Sequence, residues 1–204
     1  MVDKLCFDAE LTKQEAEVRD YMVNIFNPAL KFVLLTANKA LFKMYHYNSC
    51  RQTAILSTVL LQELMPEYTF KVYEGKFTEP VNKHYEEYIH AFSIGTKGKR
   101  KILVDLSRTS KRLLFMPVIN NSLYPVIDEY RKTSLMEKKE LDLNALMNPE
   151  IKEYITKLKP LELLNKVRMT MKIIEGMPEQ SRRDFAKQVY EQCMEKSFFR
   201  NFDD

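Results

Sequence analysis

The sequence predicts an α+β fold in which a buried helix packs on a small antiparallel sheet, with further helices before and after it. Three observations favour this class. Only four glycines and eight prolines occur in 204 residues, which is few turn residues for an all-β sandwich. Apolar residues recur at helical spacing up to Pro66, and strand-like alternation begins at Tyr68. Helical spacing returns after Ser107 and covers nearly half of the chain.

Composition and charge exclude several classes of protein. Hydrophobic residues make up 45% and charged residues 29%, which is a globular balance. The formal charge of +4 is a weak excess whose only clusters are 97–101 and 108–112, so no nucleic-acid partner is expected. No run of 18 apolar residues and no signal peptide is found, so we expect a cytoplasmic protein without a membrane partner. The three cysteines, an odd number far apart, predict reduced thiols.

Two N-terminal helices are predicted to pack against the rest of the chain. The first begins at the capping box Thr12–Glu15 and should stop at Asn27-Pro28, because proline interrupts helical hydrogen bonding. The second should run from Pro28 to about Tyr45, with its apolar residues on one broad face.

A third helix and three strands are predicted next. The helix should begin near Asn48-Ser49, which are good cap residues, and end at Met65-Pro66. Its circumference is largely apolar, so we expect it to be central and buried. The strands are predicted at Tyr68–Gly75, Tyr88–Gly95 and Arg100–Leu106, with Thr96–Lys99 as a tight hairpin turn between the last two.

The chain is expected to divide near residue 110. Residues 1–110 should form the core with the sheet, and residues 111–204 a helical region packed on that core. Proline, glycine and asparagine separate four candidate helices in the second region, which are Tyr124–Lys139, Pro149–Lys157, Leu161–Ile174 and Pro178–Phe198.

Cys50 is the candidate nucleophile. It directly follows the predicted Asn48-Ser49 cap, so the unpaired N–H groups and the positive end of the helix dipole should face its sulfur. That environment favours the thiolate, and the same N–H groups can bind a developing oxyanion. An isolated cysteine in an apolar helix is otherwise a small core residue, so Cys50 needs a neighbouring base.

His90 and Asp105 are predicted to be that base and its partner. If Lys97-Gly98 form a two-residue turn, residues whose numbers sum to 195 lie opposite each other, which pairs His90 with Asp105 on one face. A three-residue loop would place them on opposite faces. A carboxylate within an apolar strand also needs a partner. A purely structural His–Asp pair is the alternative interpretation.

The other histidines are weaker candidates. His46 lies near the predicted cleft, and His84 is expected in a solvated charged loop. The His, Cys and carboxylate residues show no metal-ligand spacing, so neither a metal nor another cofactor is predicted.

The segment from about residue 45 to 110 resembles the transglutaminase-like superfamily. The likeness lies in a helix that begins with a cysteine (Cys50), a strand carrying His-Ala and an aromatic residue (90–92), and a following strand carrying Asp105. Departures from the family's usual pattern are Ser49 before the cysteine, Phe92 in place of Trp, and Leu106-Ser107 after the aspartate.

The resemblance implies a papain-type core and a Cys-His-Asp catalytic triad. His90 would take the thiol proton, Cys50 would attack a carbonyl of a protein or peptide substrate, and Asp105 would orient the imidazole. Water or an amine would resolve the thioester, giving a protease, an amidase or a transglutaminase. Tyr47 and Asn48 are the candidates for the second oxyanion donor, because Gln52 is expected to face solvent within the helix.

Two other functions remain open at this stage. An arylamine N-acetyltransferase has the same order of catalytic residues, but its Arg-Gly-Gly-x-Cys motif is replaced here by Tyr47-Asn-Ser-Cys50. A catalytically inactive transglutaminase-like protein would use its helical second half to bind other proteins. The sequence makes no prediction of the oligomeric state.

Overall fold

The computed structural model describes residues 11–37, 50–81, 84–107, 113–117, 139–148 and 157–194. These ranges contain helices and one five-stranded antiparallel sheet, so the predicted α+β class is confirmed. None of the helices in them combines the length and apolar character that a membrane crossing requires.

The sheet has the strand order β4-β3-β2-β1-β5, and every neighbouring pair is antiparallel. Its strands are β1 (Thr69–Val81), β2 (His84–Lys97), β3 (Arg100–Asp105), β4 (Leu114–Pro117) and β5 (Lys139–Leu141). The helices are α1 (Lys13–Tyr21), α2 (Asn27–Ala37), α3 (Cys50–Leu64), α4 (Leu143–Leu146), α5 (Pro160–Glu175) and α6 (Glu179–Met194).

The chain stays helical from α1 into α2, so the predicted stop at Asn27-Pro28 is wrong. A π-helical turn, Met22–Phe26, joins the two helices, and the N–H of Asn27 donates to the carbonyl of Met22, five residues earlier. Pro28 has no N–H to donate, and the wider turn before it adapts the helix to the proline. The predicted capping box at Thr12 and Glu15 is confirmed. The second half of the predicted helix Pro28–Tyr45 lies outside the described residues beyond Ala37.

The hairpin of β1 and β2 is longer than predicted. Gly75 was expected to end the first strand, but it pairs with His90 and the pairing continues to Val81 and His84. Near the connection between β1 and β2 the residues are polar and do not alternate with apolar ones. Backbone hydrogen bonds between the two strands keep this part of the hairpin extended. His84, expected in a loop, is therefore the first residue of β2.

The second half of the chain contributes strands as well as helices. The predictions Leu161–Ile174 and Pro178–Phe198 correspond to α5 and α6. The expectation of a wholly helical region after residue 111 is wrong at β4 and β5, which pair with β3 and β1. Only the last residue of the predicted helix Tyr124–Lys139 is described, and it begins β5. Residues 149–156 of the predicted helix Pro149–Lys157 lie outside the described ranges.

Helix α3 packs on β1 and β2, and α2 packs against α5 and α6. A buried polar contact fixes α3 to the sheet, because the Ser93 hydroxyl donates to the Ala54 carbonyl at 3.1 Å and lies 2.6 Å from the Thr58 hydroxyl. The core joins the N-terminal helices, α3, the sheet, α5 and α6, and its fully buried large side chains include Met22, Phe26, Leu30, Leu34, Leu56, Leu61, Met65 and Ile102.

A buried carboxylate ties α1 to the sheet. Both oxygens of Glu15 accept hydrogen bonds from the Arg100 guanidinium at 2.5 Å, and Glu15 also accepts from the Tyr68 hydroxyl and the Thr12 N–H. Burial alone would raise the pKa of Glu15, but these donors outweigh it and lower the pKa to about 2. Because its pKa is depressed, the Glu15 carboxylate stabilises the fold fully above pH 4.5. That stabilisation is lost as the pH falls towards 2.

We expect Glu15→Gln to lower the free energy of unfolding by about 2 kcal/mol at pH 7, because it removes hydrogen bonds to a charged acceptor. Urea denaturation would measure this, and the difference from wild type should shrink below pH 4.5. Glu17→Gln is the matched control on α1, since Glu17 is exposed in its ion pair with Lys13 and should change stability by less than about 0.5 kcal/mol. Equal effects of the two substitutions would contradict this role for Glu15.

Candidate active site

Cys50 lies at the start of α3 as the structure describes it and is 8% exposed. The guanidinium of the next residue, Arg51, donates to Oε1 of Glu74 on β1 at 3.0 Å and 2.6 Å, which anchors this end of the helix to the sheet. Apolar packing around the thiol comes from α3, β1 and β2, through Ala54, Ile55, Val72 and Ala91. The sulfur is thus held in place beside β2.

His90 connects the thiol to a carboxylate. His90 is 4% exposed. Its Nε2 lies 2.6 Å from Oδ2 of Asp105, and the Cys50 side chain is close enough to the ring to raise the pKa of His90. Because Nε2 faces the carboxylate, Nδ1 is the ring nitrogen left for the sulfur. The three residues expected to form the triad therefore lie together, with His90 hydrogen-bonded to Asp105 and Cys50 beside the ring.

The contact between His90 and Asp105 is present, but the register predicted for it is wrong. Lys97 pairs with Arg100 and Ser93 with Val104, so paired numbers sum to 197 rather than 195. The two-residue turn is Gly98-Lys99, and Gly98 has a φ of 57° at the position where a type II′ turn needs glycine. A shift of two keeps every side chain on its face. Extending the register places Asp105 opposite Phe92, so His90 is its diagonal neighbour, still within reach of a long side chain.

Asp105 accepts hydrogen bonds on both oxygens. Oδ2 faces His90, while Oδ1 accepts from the Ser107 N–H at 3.1 Å and from the Ser107 hydroxyl at 2.6 Å. Asp105 is 2% exposed, and these donors fix the rotation of its carboxylate. Two donors on one oxygen and the imidazole on the other leave little freedom for the side chain to turn away from His90.

The electrostatics of the pair favour a protonated imidazole. Burial lowers the pKa of His90. The Asp105 carboxylate and the nearby Cys50 outweigh burial and raise the pKa to about 10. An imidazolium beside a thiol stabilises the thiolate, which is the nucleophilic form of cysteine. The arrangement of Cys50, His90 and Asp105, with the imidazole between a thiol and a carboxylate, is the one required for an imidazolium–thiolate pair with an orienting carboxylate.

Of the three residues considered for the second oxyanion donor, only Gln52 lies among the described residues. Tyr47 and Asn48 lie outside the described residues, as does His46. Gln52 was expected to face solvent, but its Oε1 is buried and finds no hydrogen-bond partner among the described residues. Gln52 as a whole is half-buried and Arg51 before it is exposed, so the expectation holds in part.

Two residues beside the triad were missed by sequence reasoning. Ser107 could have been found, because an aspartate that accepts from the N–H two residues later forms a common local turn. Lys31 is fully buried and donates to the Ser107 carbonyl at 3.1 Å. Its only sequence signal is its position within an apolar helix, among Ala29, Leu30, Phe32 and Val33. A lysine there usually extends its amine to solvent.

Comparison of the chain with models of protein families, with curated proteins and with solved structures found no match in any of the three. Among the residues that the structure describes, no three histidine, cysteine or carboxylate side chains group as a metal site would require. The functional conclusion therefore depends on the geometry of this chain.

Proposed function

We propose that this protein is a cysteine-dependent acyl-transfer enzyme that acts on a peptide or amide substrate through a thioester on Cys50. The observation that carries the proposal is the buried His90–Asp105 hydrogen bond with Cys50 beside it, since Cys50 packs with Ala91 of the same strand and influences the pKa of His90. All three side chains are less than a tenth exposed. Low dielectric surroundings strengthen the electrostatic interactions within such a site.

The proposed reaction begins from the imidazolium–thiolate pair. The Cys50 thiolate attacks the substrate carbonyl carbon and a C–S bond forms, while the carbonyl oxygen becomes an oxyanion near the N–H groups of the first turn of α3. His90 gives its proton to the leaving nitrogen, and the C–N bond breaks. Water or an amine then attacks the thioester, His90 takes the proton of this acceptor, and the C–S bond breaks to regenerate the thiolate.

The order of elements supports a transglutaminase-like, papain-type core as part of the proposal. The cysteine is the first described residue of helix α3, which packs on the sheet, the histidine lies on β2, and the aspartate ends the neighbouring strand β3. These are the positions that the resemblance of residues 45–110 implies. Proteolysis, deamidation and transamidation share this first half-reaction, and they differ in the acceptor that resolves the thioester.

We also propose a reducing, cytoplasmic location and a protein or peptide substrate. Cys50 and Cys193 are both free thiols, and a nucleophilic thiol is preserved where glutathione keeps cysteines reduced.

An activated ester tests the proposal without knowledge of the natural substrate. Wild-type protein mixed with p-nitrophenyl acetate should release about one equivalent of p-nitrophenol in a burst, because acylation by a thiolate outpaces hydrolysis of the thioester. Cys50→Ala should abolish the burst, and Cys6→Ala, the matched control, should retain it. If both variants retain the burst, ester cleavage occurs elsewhere in the protein, and the role of Cys50 is contradicted.

A second candidate function has its own supporting observations. Helix α5 exposes a row of apolar side chains four or eight residues apart, Leu161, Met169 and Ile173, with Met169 66% exposed. Such a row is typical of a helix that binds another protein. The burial of Cys50 restricts the access of a substrate to the thiol, which also favours a binding function over catalysis. An inactive binding module would show no ester burst, and its His90→Ala variant would leave the reactivity of Cys50 unchanged.

A further inference from the structure

Lys31 on α2 occupies an unusual position for a lysine. It is 0% exposed, whereas lysines are almost never fully buried unless they have partners. Its amine donates to the Ser107 carbonyl at 3.1 Å. Burial lowers the pKa of Lys31, and the nearby Cys193, Asp105 and Cys50 oppose that shift. Burying an amine here costs desolvation free energy, so an apolar side chain would be more favourable if this residue only filled space in the core.

Ser107 connects this amine to the candidate triad. Its carbonyl accepts from Lys31, while its N–H and hydroxyl both donate to Oδ1 of Asp105. The Ser107 hydroxyl also lies 3.5 Å from Nε2 of His90. Because Asp105 is the last residue of β3, the strand ladder does not hold the residues that follow it. Lys31 on α2 holds this turn through its hydrogen bond to the Ser107 carbonyl.

We propose that Lys31 and Ser107 are positioning residues, with Lys31 holding the Ser107 turn so that Ser107 fixes the Asp105 carboxylate against His90. This inference rests on the proposed function, since it assigns a task to residues around that site. Neither residue touches the reacting atoms in the proposed mechanism. Their effect on Cys50 passes through the orientation of Asp105 and the charge on His90.

The charges around Lys31 agree with this role. The groups that face it are Asp105 from β3, Cys50 from α3 and Cys193 from α6. The Asp105 carboxylate opposes the effect of burial on the pKa of Lys31, so the amine and the carboxylate that Ser107 connects also interact electrostatically.

Lys31→Met and Ser107→Ala test the inference, with the rate of Cys50 alkylation by iodoacetamide measured by peptide mass spectrometry from pH 5 to pH 10. Each variant should slow alkylation at pH 7 by about tenfold, which is the value of one hydrogen bond to a charged group. Each should also move the rise of the alkylation rate to higher pH, because a less favoured imidazolium stabilises the thiolate less. Methionine keeps a side chain of similar length at this position, and a thermal melt establishes that each variant is folded before its rate is compared with wild type. Lys13→Met is the matched control, since it removes a charge from an exposed lysine and should leave the profile unchanged.

The outcomes separate this inference from the proposed function. If wild-type Cys50 alkylates rapidly at pH 7 and both folded variants match it, Lys31 and Ser107 have no positioning role and the inference is overturned. If Lys31→Met does not fold, Ser107→Ala decides alone, because it deletes one hydroxyl and leaves the carbonyl that Lys31 contacts. If wild-type Cys50 itself reacts slowly at pH 7 and does not respond to His90→Ala, the proposed function fails, and this inference falls with it.

Discussion

Replacing His90 with alanine should slow the acetylation of Cys50 by p-nitrophenyl acetate at pH 7 by about 10³-fold, which is within the range for loss of a catalytic acid–base group. His90 lies beside the thiol in the proposed mechanism, and its raised pKa favours an imidazolium there. Without that charge the thiolate loses its stabilising partner. The measurement is the first-order rate of p-nitrophenol release in the burst.

His84→Ala is the matched control for this substitution. His84 lies on the same strand, six residues earlier, which is about 20 Å along an extended chain. It should leave the burst rate within about twofold of wild type, because it removes an imidazole from the same strand at a position outside the proposed triad. A His90→Ala variant that folds and retains the wild-type burst rate would remove His90 from the mechanism.

Replacing Asp105 with asparagine should have the second largest effect. Burial by itself lowers the pKa of His90, and Asp105 is the largest of the influences that raise it. Without the carboxylate the imidazolium should deprotonate at lower pH, and we expect burst acylation at pH 8 to fall roughly 10²-fold. The pH profile of the burst rate measures this directly, since the upper limit of the active range reports the His90 ionisation in free enzyme.

The same substitution has a consequence for stability. Because the pKa of His90 is raised from 6.5 to about 10, the pair stabilises the fold fully below pH 6.5 and loses that stabilisation as the pH rises through 10. Asp105→Asn should therefore be about 2 kcal/mol less stable than wild type at pH 6, and the difference should narrow towards pH 10. A difference that stays constant with pH would show that no charged His90 is being stabilised.

Local sequence patterns were sufficient for the elements that carry the triad. The apolar run located α3, and alternation located the pairing segments of β1, β2 and β3. The predicted cap Asn48-Ser49 lies outside the described residues. The hairpin register was wrong by two residues, yet the contact between His90 and Asp105 was still found. Side chains alternate with a period of two, so an even shift preserves the face while changing the direct partner.

Residues whose role depends on distant partners could not be found in this way. Lys31 is buried because it meets Ser107, 76 residues later in the chain, and no local pattern reports such a contact. The strands β4 and β5 are four and three residues long, and they are extended because β3 and β1 offer unpaired edges. The helix through Pro28 depends on a π-helical turn that periodicity does not reveal.

The most direct test of the central claim is the location of the acyl group in wild-type protein. After mixing with p-nitrophenyl acetate and rapid quenching in acid, peptide mass spectrometry should find one acetyl group per chain on Cys50. Acid preserves the thioester, and dilute hydroxylamine at neutral pH should remove it, as expected for a thioester but not for an amide. Acetylation confined to lysine side chains, with Cys50 unmodified while the burst is observed, would contradict the proposal that Cys50 is the nucleophile.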